Sequence, residues 1–270
     1  MLRGASAEAL AALTERVGDL SSTASQADQA TLGEQLFGIV GVLRSDPALR
    51  RALTDNSVEG QSKAGLATTI FGSSVGEAAA GLIADAASRR WTSASDLATA
   101  LERVAVLTTV RSAGAKGQTV GDELFAIRRT VQANPDLRSA LSDQARSVAD
   151  RTQLISGLLA GKVEGPTETL VNQAIARGDG SVDKALAEFL EVAAEAVQET
   201  VVTVTTAREL SDADLQRLAG ALSKQYGTTV QLHVVLDPFL VGGLRVEIGD
   251  DVIDGSVSSR LDDARRRIAG

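Results

Sequence analysis

Cysteine is absent from this chain, which excludes a disulfide framework and a thiolate metal site and permits a reducing, intracellular home. Aromatic residues are scarce: one Trp, one Tyr and five Phe among 270 residues, so any core must be built mainly from Leu, Val, Ile and Ala. There is one histidine, His233, and no HExxH or comparable ligand cluster, so neither a zinc site nor histidine-centred catalysis is indicated. No apolar run approaches the roughly 18–20 residues of a membrane span. The N-terminus lacks the three-part pattern of a signal peptide. The expectation is a soluble, cytoplasmic chain whose membrane association comes only through partners. Net charge is −8 with no dominant basic stripe, a poor match to phosphate neutralisation, so no nucleic acid partner is expected. The one basic run, Arg265-Arg266-Arg267, ends a predicted helix that starts with Asp262 and Asp263, a polarity suited to the helix dipole.

What is present first is an internal repeat. Residues 33–55, GEQLFGIVGVLRSDPALRRALTD, match residues 121–143, GDELFAIRRTVQANPDLRSALSD. Phe37 aligns with Phe125, and the same separation of 88 residues pairs Pro47 with Pro135, Leu53 with Leu141, Lys63 with Arg151, Leu66 with Leu154, Leu82 with Leu170 and Arg89 with Arg177. The unit is helical by period: Leu32, Leu36, Ile39, Val40 and Leu43 make one apolar face. The helix is expected to stop near Ser45, because Asp46 precedes Pro47, and to restart with Asp46 as cap and Pro47 in the first turn. Asn134 and Pro135 are expected to repeat that arrangement. Segment 97–111 matches 9–23, so one helix is expected to end the first copy and open the second, as in a solenoid.

From about Glu199 the pattern changes. TVVTVTT over 200–206 is β-branched throughout and predicts a strand. Ser211 with Asp214 and a Leu210–Leu215 staple predicts a helix start, and Leu215, Leu218, Ala219 and Leu222 its buried face. Residues 229–236 and 242–248 predict two further strands, 251–253 a short fourth, and 256–268 a closing helix. The predicted fold class is α+β: a duplicated, solenoid-like helical bundle followed by a small C-terminal α/β module. The expected domains are 1–95 and 96–198, the two helical repeats, and 199–270.

No catalytic constellation emerges. Gly114-Ala115-Lys116-Gly117 lacks phosphate-loop spacing and follows a helix, so it is a connector. Gly178-Asp179-Gly180 reads as a helix-breaking turn, and Asp250-Asp251 as a hairpin turn. Trp91 suits either inter-helix packing or a partner anchor. No cofactor is expected.

Residues 234–270, VVLDPFLVGGLRVEIGDDVIDGSVSSRLDDARRRIAG, carry one ordered motif. Asp237-Pro238 makes a turn, Gly242-Gly243 precedes a strand, Gly249 permits a turn, and Asp254-Gly255-Ser256 leads into the last helix. This order resembles the C-terminal module of the delta-subunit family of bacterial F-type ATP synthases, whose mitochondrial counterpart is the oligomycin-sensitivity-conferring protein. The second repeat, including NPDLRSALSD, is similar to that family's six-helix N-terminal domain, and the extra first repeat is similar to the long actinobacterial form. The chain begins near the repeat without an apolar anchor, so a stand-alone delta subunit is expected.

The resemblance implies a non-catalytic stator subunit, present once in a hetero-oligomeric complex at the cytoplasmic face of the cell membrane. It would link N-terminal helices of alpha subunits to the membrane-anchored b subunits, so that the catalytic head does not turn with the rotor. It also implies an alpha-binding groove between the first and fifth helices of a six-helix unit. The candidates are Leu10, Leu13, Val17, Leu82, Ile83 and Trp91 in the first copy, or Leu101, Val104, Leu170, Val171 and Ile175 in the second. The competing reading is a helical-repeat adaptor unrelated to the synthase.

Overall fold

A computed structural model describes residues 2–143, 145–178, 181–208, 210–226, 229–237, 240, 242–248 and 251–254. These fall into two compact units, Met1–Ala196 and Val197–Gly270. The first is all helical and the second carries a sheet, the α+β arrangement predicted from the sequence.

The helical unit contains α1 (Ala5–Thr23), α2 (Gln26–Ser45), α3 (Pro47–Thr54), α4 (Gly60–Phe71), α5 (Glu77–Ser88), α6 (Ala94–Arg111), a 3-10 turn (Gly114–Lys116), α7 (Gly117–Ala133), α8 (Pro135–Ser142), α9 (Val148–Leu159), α10 (Gly165–Ala176) and α11 (Val182–Gln198). The turn and the start of α7 occupy the Gly114–Gly117 connector. α6 is buried along nearly its whole length and packs on α1, α2, α3 and α5 of the first copy and on α7 and α10 of the second. It is the helix shared by both copies. Its buried Thr108 and Thr109 donate their hydroxyls to Val104 O (2.8 Å) and Ala105 O (2.9 Å), so no polar group is left bare there. α2 approaches α6 closely because Gly33 has no side chain: a Cβ there would lie 2.5 Å from Thr109 Oγ1.

Local chemistry repeats with the 88-residue period. Lys63 and Arg151 are both buried near the start of a fourth helix, donating to Arg89 O (2.9 Å) and Leu141 O (3.1 Å). Gln35 accepts from Gly76 N–H and its equivalent Glu123 from Glu164 N–H, each at 3.0 Å, so the second helix of each copy holds the entry to the fifth. The repeat is not complete. Asp46 accepts from Ala48 and Leu49 N–H and caps α3 as expected, but Asn134 makes no cap bond. Its side-chain amide donates back to Thr130 O at 2.7 Å, so only Pro135 keeps the expected role at that helix start.

The second unit holds β1 (Glu199–Thr206), α12 (Asp212–Tyr226), β2 (Thr229–Leu236), β3 (Leu244–Ile248) and β4 (Asp251–Asp254). Its sheet order is β2-β1-β3-β4, with β1 parallel to β2 and antiparallel to β3, and β3 antiparallel to β4. The parallel pair requires a crossover, which α12 supplies. Ser211 and Asp214 form the expected helix start: Ser211 Oγ accepts from Asp214 N–H at 3.2 Å and donates to its carboxylate at 2.6 Å. Val204, Leu222, Val230, Leu232 and Val246 form the core, with Leu210, Leu215, Leu218, Ala219 and Leu244 packed against it.

Strand β3 begins at Leu244, two residues later than expected, because Gly242 and Gly243 adopt positive φ (122° and 82°), which a strand cannot continue. The predicted helix 256–268, with Arg265–Arg267, and the turns at Gly227, Gly249 and Asp250 lie outside the described residues.

Candidate functional site

Of the groove candidates, Leu13, Val17, Leu82, Ile83, Trp91, Leu101, Val104, Leu170, Val171 and Ile175 are all buried in one continuous helical core, and Leu10 is half-buried. Trp91 also has its indole N–H satisfied internally, donating to Ala86 O at 2.8 Å. These side chains hold the helices to one another in the isolated chain; only Leu10 retains appreciable surface for a partner.

Among the motif residues, Asp237 N–H donates to Thr206 O (2.9 Å) and Asp237 O accepts from Leu240 N–H (3.1 Å), a turn at the end of β2. Asp254 closes β4 in register with Arg245. Pro238, Gly249, Gly255 and Ser256 lie outside the described residues. What is visible of the motif shapes backbone.

Two features were not legible in the sequence. The first is an ionic node between the copies. Glu102 on α6 is buried and accepts from Arg44 of α2 at 2.9 Å, while Arg177, at the end of α10, lies 3.5 Å away and also pairs with Glu188. Arg50 lies alongside and donates to Leu43 O (2.5 Å) and Arg44 O (2.7 Å), closing the end of α2. These four side chains line a cleft of about 530 Å³ between α2, α6 and α10. Its charges are paired within the cleft and its arginines are turned on a carboxylate or on helix carbonyls, the geometry of a clamp between repeats.

The second feature is apolar exposure. Leu66 and Ile70 on α4, Leu154 and Leu158 on α9, and Phe125 on α7 are open to solvent, as are Val235 and Leu236 at the end of β2.

Titratable groups are quiet. Burial pushes the Lys63 ammonium below its ordinary value, helped by nearby Arg90 and opposed by Asp55. Lys116 is held above it by hydrogen bonding to Glu164 at 2.9 Å and by that carboxylate's charge. Asp55 and Asp214 are held below the usual carboxylate range, chiefly by hydrogen bonds from Ser57 and Ser211. None of these converges on a second reactive group, and no cluster of His, Cys, Asp or Glu that could hold a metal is found among the described residues. No helix among them is long and apolar enough to cross a membrane.

Fold and surface together define a helical-repeat binding scaffold with an appended α/β module. The family model described as ATP synthase delta (OSCP) subunit matches residues 98–268. The chain belongs to that family. It is 47% identical to ATP synthase subunit delta of a Nocardioides species, over 100% of this chain and 98% of that one. The delta subunit of Kineococcus radiotolerans is 42% identical over 98% and 97%, and that of Streptomyces coelicolor 38% over 99% and 98%. These relatives match the first helical copy as well, so the duplication belongs to a long, actinobacterial-type form. A chain of the Toxoplasma gondii mitochondrial ATP synthase hexamer is 18% identical, covering 61% of this chain and 96% of that one with a TM-score of 0.28, and adds nothing to the assignment. The chain is a non-catalytic stator subunit of the F-type ATP synthase.

Proposed function

We propose that this subunit bridges two partners through its two units. The helical unit, acting as two docking copies at about 1–95 and 96–198, receives N-terminal segments of alpha subunits as amphipathic helices. The C-terminal module holds the end of the b subunits. One copy per complex ties the catalytic head to the membrane-anchored b subunits at the cytoplasmic face of the cell membrane, with no membrane insertion of its own. The observation that carries this is the division into two compact units of different architecture in a chain that matches delta subunits along its whole length. Stacked amphipathic helices suit helix-in-groove recognition, and Val235 and Leu236 offer the second unit an apolar contact. An adaptor unrelated to the synthase is set aside by the same whole-length match.

The test is a pull-down with the full chain and with residues 1–196 and 197–270 separately. The first fragment is expected to retain alpha and the second b. Retention of both partners by one fragment alone would overturn the division of labour.

A further inference from the structure

Helix α4 carries one charged residue, Lys63, and that residue is buried. Its outward side is therefore uncharged. Leu66 and Ile70 stand on it, 40% and 38% exposed, one helical turn apart. Thr68 and Thr69 turn their hydroxyls back onto Ala64 O (3.0 Å) and Gly65 O (2.9 Å). Gly65 has open space where a Cβ would be. In a chain that is 23% charged, a twelve-residue surface helix with no exposed charge is unusual.

Helix α9, its equivalent 88 residues on, repeats the design. Asp150 is engaged with the Ser147 cap and Arg151 is buried, and no charged residue follows up to Leu159. Leu154 and Leu158 fall at the positions of Leu66 and Ile70 and are 38% and 46% exposed. Thr152 bonds back to Val148 O (2.9 Å), and Gly157 is open. On the inward side Ala67 and Phe71 of α4, and Ile155 of α9, join the core.

We propose that α4 and α9 are two like docking faces, each covered in the assembled complex by the apolar side of one amphipathic helix from the N-terminus of an alpha subunit. This rests on the alpha-binding reading above and moves its contact surface away from the buried candidates on α1, α5, α6 and α10. The absence of charge selects an apolar partner face instead of an ion-paired one. The i, i+4 row of each pair forms a ridge for helix packing, and the open glycine lets a second backbone come close. The repetition in one register selects two like ligands. A second copy of this chain fits poorly: two self-complementary faces on one chain would link molecules end to end instead of closing a dimer.

The experiment titrates a peptide of the alpha N-terminal segment from the same synthase into the full chain by calorimetry. Two peptides are expected per wild-type chain. Leu66→Asp/Ile70→Asp and Leu154→Asp/Leu158→Asp should each leave one site, weakening the altered site at least about tenfold. Should a double aspartate unfold the protein, shown by circular dichroism, the Gln pairs at the same positions serve instead. Undiminished binding to the four-site variant overturns the proposal and leaves the alpha-binding reading standing. Failure of the wild-type chain to bind the peptide overturns that reading, and the occupant named here with it. Concentration-dependent polymers of the free chain that vanish in the four-site variant would overturn the proposal in favour of self-association.

Discussion

Phe37 and Phe125 occupy equivalent positions in the two helical copies, yet Phe37 is buried against Phe189, ring centroids 6.3 Å apart, while Phe125 is 52% exposed. Phe37 joins the first copy to α11 at the far end of the second. Phe125 has only Arg129 over its ring, 6.0 Å from the centroid. Duplication thus turned one residue into an inter-repeat contact and left its twin on the surface. Phe37→Ala is expected to destabilise the helical unit by about 3 kcal/mol, through lost burial and the cavity left beside Phe189. Phe125→Ala should fall within about 0.5 kcal/mol of the parent. Urea midpoints of the two variants check the asymmetry; equal losses would contradict it.

Gly33 and Gly121 make a second unequal pair. A Cβ on Gly33 would strike Thr109 Oγ1 at 2.5 Å, whereas a Cβ on Gly121 meets nothing within 4 Å. Both lie inside helices, where alanine is favoured over glycine by about 1 kcal/mol. Gly121→Ala should therefore stabilise by up to about that amount. Gly33→Ala should destabilise, by about 1–3 kcal/mol for overpacking, because α2 must move off α6. Thermal midpoints moving in opposite directions would confirm the different packing of two residues that the repeat makes equivalent.

Such pairs show which links were legible in the sequence. The duplication, the Asp46–Pro47 break and the Ser211–Asp214 helix start depend on neighbours along the chain, and they stand in the structure as the sequence implies. Asn134 did not follow Asp46, since an amide can donate as well as accept and here it donates to Thr130 O. The groove candidates show a deeper ambiguity. An apolar stripe that meets a sister helix and one that meets a partner look alike in sequence, and only burial separates Leu13 or Leu170 from Leu66 or Leu154. The Glu102 node was invisible for another reason: Arg44, Glu102 and Arg177 come together only after three distant segments have packed.

That node yields a third expectation. Glu102→Gln removes the anion that Arg44 and Arg177 share, and breaking a buried pair from one side costs about 3–5 kcal/mol. Replacing Arg44 by Met in the same chain should recover part of the loss, because Arg177 keeps Glu188. A double-mutant cycle on Arg44 and Glu102, read by denaturant midpoints, should give a coupling well away from zero. Additive effects would mean that the two residues do not act as one clamp.

Lys63 gives the chain a pH signature at the alkaline end. Burial holds its ammonium below the ordinary value of 10.5, so between the lowered value and 10.5 the unfolded chain binds more protons than the folded one. Stability contributed by this residue therefore rises with pH across that window. At neutral pH the buried charge is carried at a cost, partly offset by the bond to Arg89 O. As pH climbs toward 10.5 that cost disappears, because the folded protein no longer holds the charge. Lys63→Met removes both the charge and the bond to Arg89 O. The lost bond shifts the variant's stability by a constant, whereas the charge alters the slope. The difference in thermal midpoint, variant minus parent, should thus fall steadily from neutral pH toward 10.5, whatever its sign at the start. Arg151, its equivalent in the second copy, keeps its proton throughout, so Arg151→Met should show no comparable slope. A flat difference for Lys63→Met would mean that its ammonium is not desolvated in the folded chain.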